Sequence, residues 1–505
     1  MKVTSFGRVE GGREISGISV FAPPRSGKLT QLQMMQTALG GSRHSRIIVD
    51  LRGDCAYGTE TIGHEGRFGI YWNALGLPNL PQHSLNPTED IHLKSGSLFE
   101  NLAVTLPVVI QPSGAAQSKF FEESAQRYGE PIALCAMEKA PDGVLTVPAI
   151  YDAVQALNAG GGRWKHEYDA VLRRSRFKVC TDFADEVQRG YEGASSGFDG
   201  TCAELAKSLK SLSSPLLRDS LSPPYDFSFR DLTDPDQLFS VYLLATGDYL
   251  RIWNPIYRLI FMAARRAKQR APAAPKQVWY IDEASAFEKF ELIPELYSRG
   301  AGDGIIPVTF WQNTSQTKIF GENARLILGA GQRIFYPPND EISAREISSM
   351  IGYETLSYDD EAEQAKSRHA YNQALMSMLS GADMLEAGLE AIHQAQNSAR
   401  SSKVARLVRQ PAEILRTPSN RMWMWIEGIP APIYARRQAF FDTPWMAGRY
   451  TGSPYYPPQD QVKVMTPRGH DIRRVISERV PERYAHFPQY VQSGDWRYVE
   501  GFKPC

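Results

Sequence analysis

The segment around residue 22 constrains the fold more than any other. Ile18-Ser19-Val20-Phe21 is a short β-prone run that feeds Ala22-Pro23-Pro24-Arg25-Ser26-Gly27-Lys28, and apolar residues at helical spacing follow at Leu29, Leu32, Met35 and Leu39. Arg46-Ile47-Ile48-Val49-Asp50 is then an apolar run ending in an acid, the pattern of a buried strand. Strand, glycine-containing loop, helix and strand in that order open a parallel α/β domain. The loop is close to the phosphate-binding pattern G-x-x-x-x-G-K-[ST]. That chemistry needs backbone N–H groups curled round an anion at a helix N-terminus and one lysine on the outer phosphates. Pro24, Arg25, Ser26, Gly27, Lys28, Leu29 and Thr30 are the candidate nucleotide residues. Two positions depart from the pattern. Ala22 stands where the first glycine belongs, and Leu29 stands where a hydroxyl would hold Mg²⁺. Thr30 is one residue further, about 100° round the helix, and is no simple substitute. Taken alone, a chance Gly-Lys at a helix start explains the loop equally well; the flanking strand and helix favour a phosphate site.

A second segment supports it. Val278-Trp279-Tyr280-Ile281 runs into Asp282-Glu283, four apolar residues followed by two adjacent carboxylates. At a strand end that pairing suits a metal-linked Asp282 and a base, Glu283, that polarises the water attacking a γ-phosphate. The next strand, Pro307 to Trp311, ends in Gln312-Asn313; Gln312 is a candidate to sense the γ-phosphate or orient the water. Arg299, in the glycine-rich turn Ser298-Arg299-Gly300-Ala301-Gly302, is a candidate for a charge supplied across a subunit interface, and a solvated surface arginine explains it equally well.

Around this core the chain divides into parts. Residues 1–94 form the first part of a nucleotide-binding domain, 95–225 an all-helical insertion, and 226–454 the second part of the core with a charged helical stretch at about 360–403. Residues 455–505, rich in Pro, Tyr and charge, read as a loose tail. Lys and Arg number 56 against 56 Asp and Glu, so the zero net charge excludes nucleic-acid binding by bulk electrostatics and leaves only local patches. The best such patch is Arg173, Arg174, Arg176 and Lys178 in the insertion, although a solvated helix face is the commoner meaning of such a run. The run Arg265 to Arg270 ends a helix, where cations are favoured in any case. Tyr455, Tyr456 and Trp496 are aromatics that would stack on bases if exposed, with packing inside the chain the alternative. Five cysteines without a C-x-x-C pair fit a reducing compartment. No apolar run approaches the ~18 residues of a membrane span, so the chain is expected to be soluble.

Taken in order, these segments resemble the type IV secretion coupling proteins, the TraG/TraD-like ATPases of bacterial conjugation. Val49-Asp50-Leu51-Arg52-Gly53-Asp54 is similar to the family's Asp-Pro-Lys-Gly-Glu, and Leu85-Asn86-Pro87 to its Phe-Asn-Pro. Phe120-Phe121 with Ala125 resembles the opening of its helical domain. Ile281 to Phe290, Gly304-Ile305, Gln312, Asn339-Asp340, Arg409 to Leu415 and Gly428-Ile429-Pro430-Ala431-Pro432-Ile433 follow in the family's order. The resemblance implies a RecA-like P-loop NTPase core with an inserted all-helical domain, ATP and Mg²⁺ as cofactors, and assembly of the chain with itself into a hexameric ring. It implies single-stranded DNA with its relaxase and the components of a type IV secretion channel as partners, at the cytoplasmic face of the bacterial inner membrane. The family's N-terminal membrane helices are not in this sequence, so membrane contact is expected only through partners or a missing N-terminal anchor. Two other functions stay open: a nucleotide-binding recruitment platform with little turnover, for which Leu29 speaks, and an FtsK/HerA-like DNA translocase, against which the insertion and the final Gly428 to Ile433 segment speak.

Overall fold

The computed structural model describes residues 16–38, 43–58, 66–110, 119–193, 196–358, 361–380, 389, 392–393, 402–452 and 458–503. They fall into two compact units, residues 1–336 with 420–505, and residues 337–419.

The first unit is built on a nine-stranded sheet. Its strands are β1 (Ile18–Phe21), β2 (His44–Leu51), β3 (Arg67–Trp72), β4 (Leu238–Ala245), β5 (Lys276–Ile281), β6 (Ile305–Trp311), β7 (Gln332–Phe335), β10 (Arg421–Ile426) and β11 (Ile433–Arg436), the numbers running in chain order through the whole protein. The spatial order is β11-β10-β7-β1-β6-β5-β2-β4-β3, with the seven strands from β7 to β3 parallel and β10 and β11 antiparallel. Strands such as β5 and β6 are buried over almost their whole length, which is why they read as continuous apolar runs without alternation. One face packs helix α1 (Lys28–Ala38) through Leu32 and Met35 onto Val20, Ile48, Tyr242, Tyr280 and Phe310. The expectation of a parallel α/β core is met, and β3, hidden by its short and mixed sequence Arg-Phe-Gly-Ile-Tyr-Trp, adds an edge strand that the sequence did not reveal.

Helices α3 (Leu98–Val109), α4 (Lys119–Lys139) and α5 (Val147–Ala159) open the all-helical region, followed by Lys178–Gly193 and Ser196–Ser208. The Asn-Pro segment ties it to the core: Asn86 Nδ2 donates to Leu145 O at 3.0 Å, and Thr88 Oγ1 donates to the same carbonyl at 2.7 Å. Within the insertion, Arg173 to Phe177 forms the turn between two helices, where Ser175 Oγ accepts from Phe177 N at 3.1 Å.

The tail is not loose. Strands β12 (Gln461–Thr466), β13 (Gly469–Arg479) and β14 (Asp495–Val499) form an antiparallel sheet, and the short helix Pro488–Val491 seals the β3 edge. Gln489 does this by standing in for a neighbouring strand. Gly69 N donates to its Oε1 at 2.7 Å and its Nε2 donates to Arg67 O at 2.9 Å, so two backbone groups of the edge strand are satisfied by one amide. Trp496 is fully buried and unavailable to bases, as the internal-packing alternative required; Tyr455 and Tyr456 lie outside the described residues.

The second unit holds the helices Glu341–Ile351 and Glu361–Leu379 and the antiparallel pair β8 (Tyr353–Tyr358) and β9 (Ser402–Leu407). It is therefore wider than the helical stretch expected at 360–403, whose end is strand; residues 381–388, 390–391 and 394–401 lie outside the described residues. Among the described residues no helix is long and apolar enough to cross a membrane.

Candidate nucleotide site

The sheet order places three chemistry-bearing strand ends side by side, because β6 lies between β1 and β5. All three are parallel, so the loop after β1, the acids after β5 and the amide after β6 emerge at the same, carboxyl edge. That edge is where open α/β sheets bind ligands. The loop itself turns tightly: Ser26 N donates to Pro23 O at 3.2 Å, and α1 begins at Lys28. Arg25 has φ 60° and Gly27 φ 87°. Left-handed backbone is unusual for an arginine, and a tight loop of this kind gathers N–H groups for an anion. The buried Ser26 Oγ has no hydrogen-bond partner among the described residues, which suits a polar ligand in the loop.

Lys28 reaches across β6. Its Nζ lies 2.8 Å from Asp282 Oδ1 and 2.9 Å from Glu283 Oε2. Glu283 Oε1 accepts from Gln312 Nε2 at 3.0 Å and from Ser285 Oγ at 3.0 Å. Glu283 also sits in left-handed backbone, φ 57° and ψ 55°, strain that turns its side chain at the strand end. Burial works to raise the Glu283 pKa, but the Lys28 ammonium and the bonds from Lys28, Gln312 and Ser285 outweigh it, and the carboxyl stays ionised below the usual glutamate range. Burial works to lower the Lys28 pKa, and the charges of Asp282 and Glu283 outweigh it in turn. Lys28, Asp282, Glu283 and Gln312, four of the residues singled out in the sequence, thus meet in one cluster.

The sequence matches the type IV secretory system conjugative DNA transfer family over residues 4–464. The chain belongs to that family. No curated protein matches it in sequence. Among solved structures it is similar to the bacterial conjugative coupling protein TrwB. A trigonal form of TrwB with sulphate has TM-score 0.56 and 14% identity, over 87% of this chain and 91% of that chain. TrwB with ADP and Mg²⁺ has TM-score 0.55 and 14% identity, over 87% and 92%, and TrwB with a non-hydrolysable ATP analogue has TM-score 0.54 and 14% identity, over 87% and 91%. The fold is that of a coupling protein of conjugative DNA transfer, with a RecA-like core and a helical insertion.

Other expected residues of this conjugative-transfer chain are placed differently. Leu29 is half-buried and packs on the core beneath α1, so the position that would carry a metal-binding hydroxyl serves packing instead. Arg299 is not in a turn. The helix Leu292–Asp303 runs through it and is ended by Gly304 at φ 74°, because buried Gly300 fits a helix face on which a Cβ would lie 2.8 Å from Ile305 O. Arg299 is exposed there and is not brought to the cluster within one chain. In the basic run, Arg173 donates to Asp169, Asp185 and Gln188, and Arg176 donates to Leu93 O; Arg174 and Lys178 are exposed. Arg266 pairs with Asp90, and Lys268 Nζ donates to the carbonyls of Ala271, Pro272 and Ala274, the helix-ending role expected of that run. Asp50 is buried, its pKa pushed up to about 8 by burial against backbone bonds from Ala56 and Cys55. Its Oδ2 accepts from Ala56 N at 2.7 Å and so holds helix α2 (Asp54–Gly58). One loop partner was not foreseen: Arg437, just after β11, donates from Nη2 to Ser26 O. Its separation of 411 residues from Ser26 leaves no local signal, and only the adjacent Arg436-Arg437 pair at a strand end marks it in the sequence.

Proposed function

We propose that this chain is an ATPase that powers conjugative transfer, linking single-stranded DNA with its relaxase, or protein substrates, to a type IV secretion channel from the cytoplasmic face of the inner membrane. The observation that carries the reading is the convergence of Lys28, Asp282, Glu283 and Gln312 at the carboxyl edge of three adjacent strands. The outer phosphates of ATP would sit at the start of α1, where Lys28 Nζ exchanges its carboxylate partners for phosphate oxygens. That exchange frees Glu283 to take a proton from the attacking water. The water oxygen bonds to the γ-phosphorus as the bond to the β–γ bridging oxygen breaks, and ADP and phosphate are the products. The Gln312 amide, already on Glu283 Oε1, orients the water. Asp282 together with phosphate oxygens would hold Mg²⁺, which neutralises charge on the transferred group when bound. One carboxylate plus phosphates meets the usual needs of that ion, and the packing of Leu29 removes the hydroxyl that normally assists. TrwB, solved with ADP and Mg²⁺ and with a non-hydrolysable ATP analogue, supports a nucleotide in this fold.

Leu29 also favours a second reading, a recruitment platform that binds nucleotide and turns over little. Hydrolysis measured with and without single-stranded DNA separates the two. The motor reading expects turnover stimulated severalfold by DNA. A rate at background in both conditions, with nucleotide still bound, favours the platform.

The place of Arg299 on the exposed face of a largely buried helix supports a role across a ring interface, where a cation from the neighbour raises rates by roughly 10³–10⁵. Turnover is then expected to rise with protein concentration, and Arg299→Ala to lower it without weakening ATP binding. Mixing Arg299→Ala with Glu283→Gln chains is expected to restore part of the activity. No recovery despite demonstrated co-assembly counts against an arginine in trans.

A further inference from the structure

The reach of Arg437 to the phosphate loop has a geometry beyond simple contact. Its Nη2 donates to Ser26 O, and its guanidinium lies over the Tyr336 ring, 3.9 Å from the centroid. Tyr336 is buried and in turn anchors α1, its hydroxyl donating to Gln31 Oε1 at 3.2 Å; Tyr336 N donates to Phe21 O at 2.9 Å, beside the loop's entry. The arginine's own backbone is held too, with Arg437 N donating to Asn420 O at 2.8 Å. One planar cation is thus clamped between the end of β7, the start of β10 and the middle of the phosphate loop. Gly27 shows how closely it approaches: a Cβ there would meet Nη2 at 2.6 Å. The positive φ and this contact both favour glycine at the position.

We propose that Arg437 is a positioning residue of the nucleotide site. It fixes the Ser26–Gly27 peptide so that the loop is shaped before phosphate arrives, and it places a positive charge behind the anion. The inference rests on the phosphate-site reading of the loop above. Its stack on Tyr336 makes the two residues one device, and lysine, lacking the planar fork and face, replaces arginine only in part.

The role predicts a particular pattern in binding of methylanthraniloyl-labelled ADP and ATP and in ATP turnover. The loop grips phosphates common to both nucleotides, so Arg437→Ala is expected to weaken ADP and ATP by the same factor, about tenfold for a charge-assisted donor, with kcat at saturating ATP nearly unchanged. Arg437→Lys is expected to recover part of the affinity. Tyr336→Leu is expected to resemble Arg437→Ala, and the double variant to be no worse than either, since the pair acts as a unit. If Arg437→Ala does not fold, Arg437→Lys and Tyr336→Leu carry the same comparison. Parent-like affinity for ADP in folded variants overturns the proposal. So does a loss confined to ATP, which would make Arg437 a γ-phosphate contact. If the parent chain binds neither nucleotide, or if Lys28→Ala binds both as the parent does, the phosphate-site reading falls and this proposal with it; if only the Arg437 and Tyr336 variants bind normally, this proposal falls alone.

Discussion

Lys28→Ala is expected to abolish tight binding of ATP. Lys28 is the one cation in the cluster described here, placed at the first residue of α1 between two carboxylates and beside the loop. A charge-assisted hydrogen bond contributes about 1.5–3 kcal/mol, so losing the ammonium lowers affinity by roughly 10- to 100-fold. A second consequence adds to the first. Without the ammonium, Asp282 and Glu283 face the incoming phosphates with uncompensated charge, and burial acts on Glu283 with its largest opposing influence gone. The Glu283 carboxyl then moves up toward or past its ordinary range. Nucleotide binding in the variant should therefore recover partly as pH is lowered toward the range where glutamate protonates, the opposite of an unspecific loss of fold. Calorimetric titration of ATP across pH tests both effects. Parent-like affinity at neutral pH would remove the phosphate-loop assignment.

The cluster was legible because its chemistry is written locally. A glycine-lysine loop after an apolar run, and two acids after another, announce strand ends by themselves. The sheet order then brings them together, with no need for the loop's missing first glycine. What was illegible depends on distance or on context. Gln489 reads as an ordinary polar residue, and its role exists only because β3 presents an open edge to it. Arg437 has no local pattern either, since its partners are Ser26 and Tyr336. Arg299 was misplaced because glycines at 300 and 302 look like a turn, whereas helix packing against β6 favours the missing Cβ at Gly300. The tail was misjudged for a related reason. Its strands carry exposed charge on one face, and their apolar residues, among them Val464, Trp496 and Val499, become a core only once β12, β13 and β14 pair.

Glu283→Gln is expected to leave ATP bound and to remove its hydrolysis. The substitution keeps the size of the side chain, so the backbone at φ 57° and the contacts from Ser285 and Gln312 are met by a group of the same shape. It removes the negative charge that accepts the proton from water, and general-base catalysis of this kind contributes about 10²–10⁴-fold. The effect should fall on kcat, because the proton moves only in the transition state and the base holds no phosphate. Affinity should if anything rise. Lys28 Nζ lies 2.9 Å from Glu283 Oε2, and an amide there competes less for the ammonium that the phosphates require. Single-turnover hydrolysis and labelled-ATP binding on the same preparation separate the two quantities. If Gln at 283 hydrolyses ATP at the parent rate, the base lies elsewhere and the cluster is a structural ion pair. If it binds ATP far more weakly, Glu283 shapes the loop rather than the water. Slow turnover with equal or tighter binding is the result that a proton-accepting Glu283, held ready by Lys28, requires.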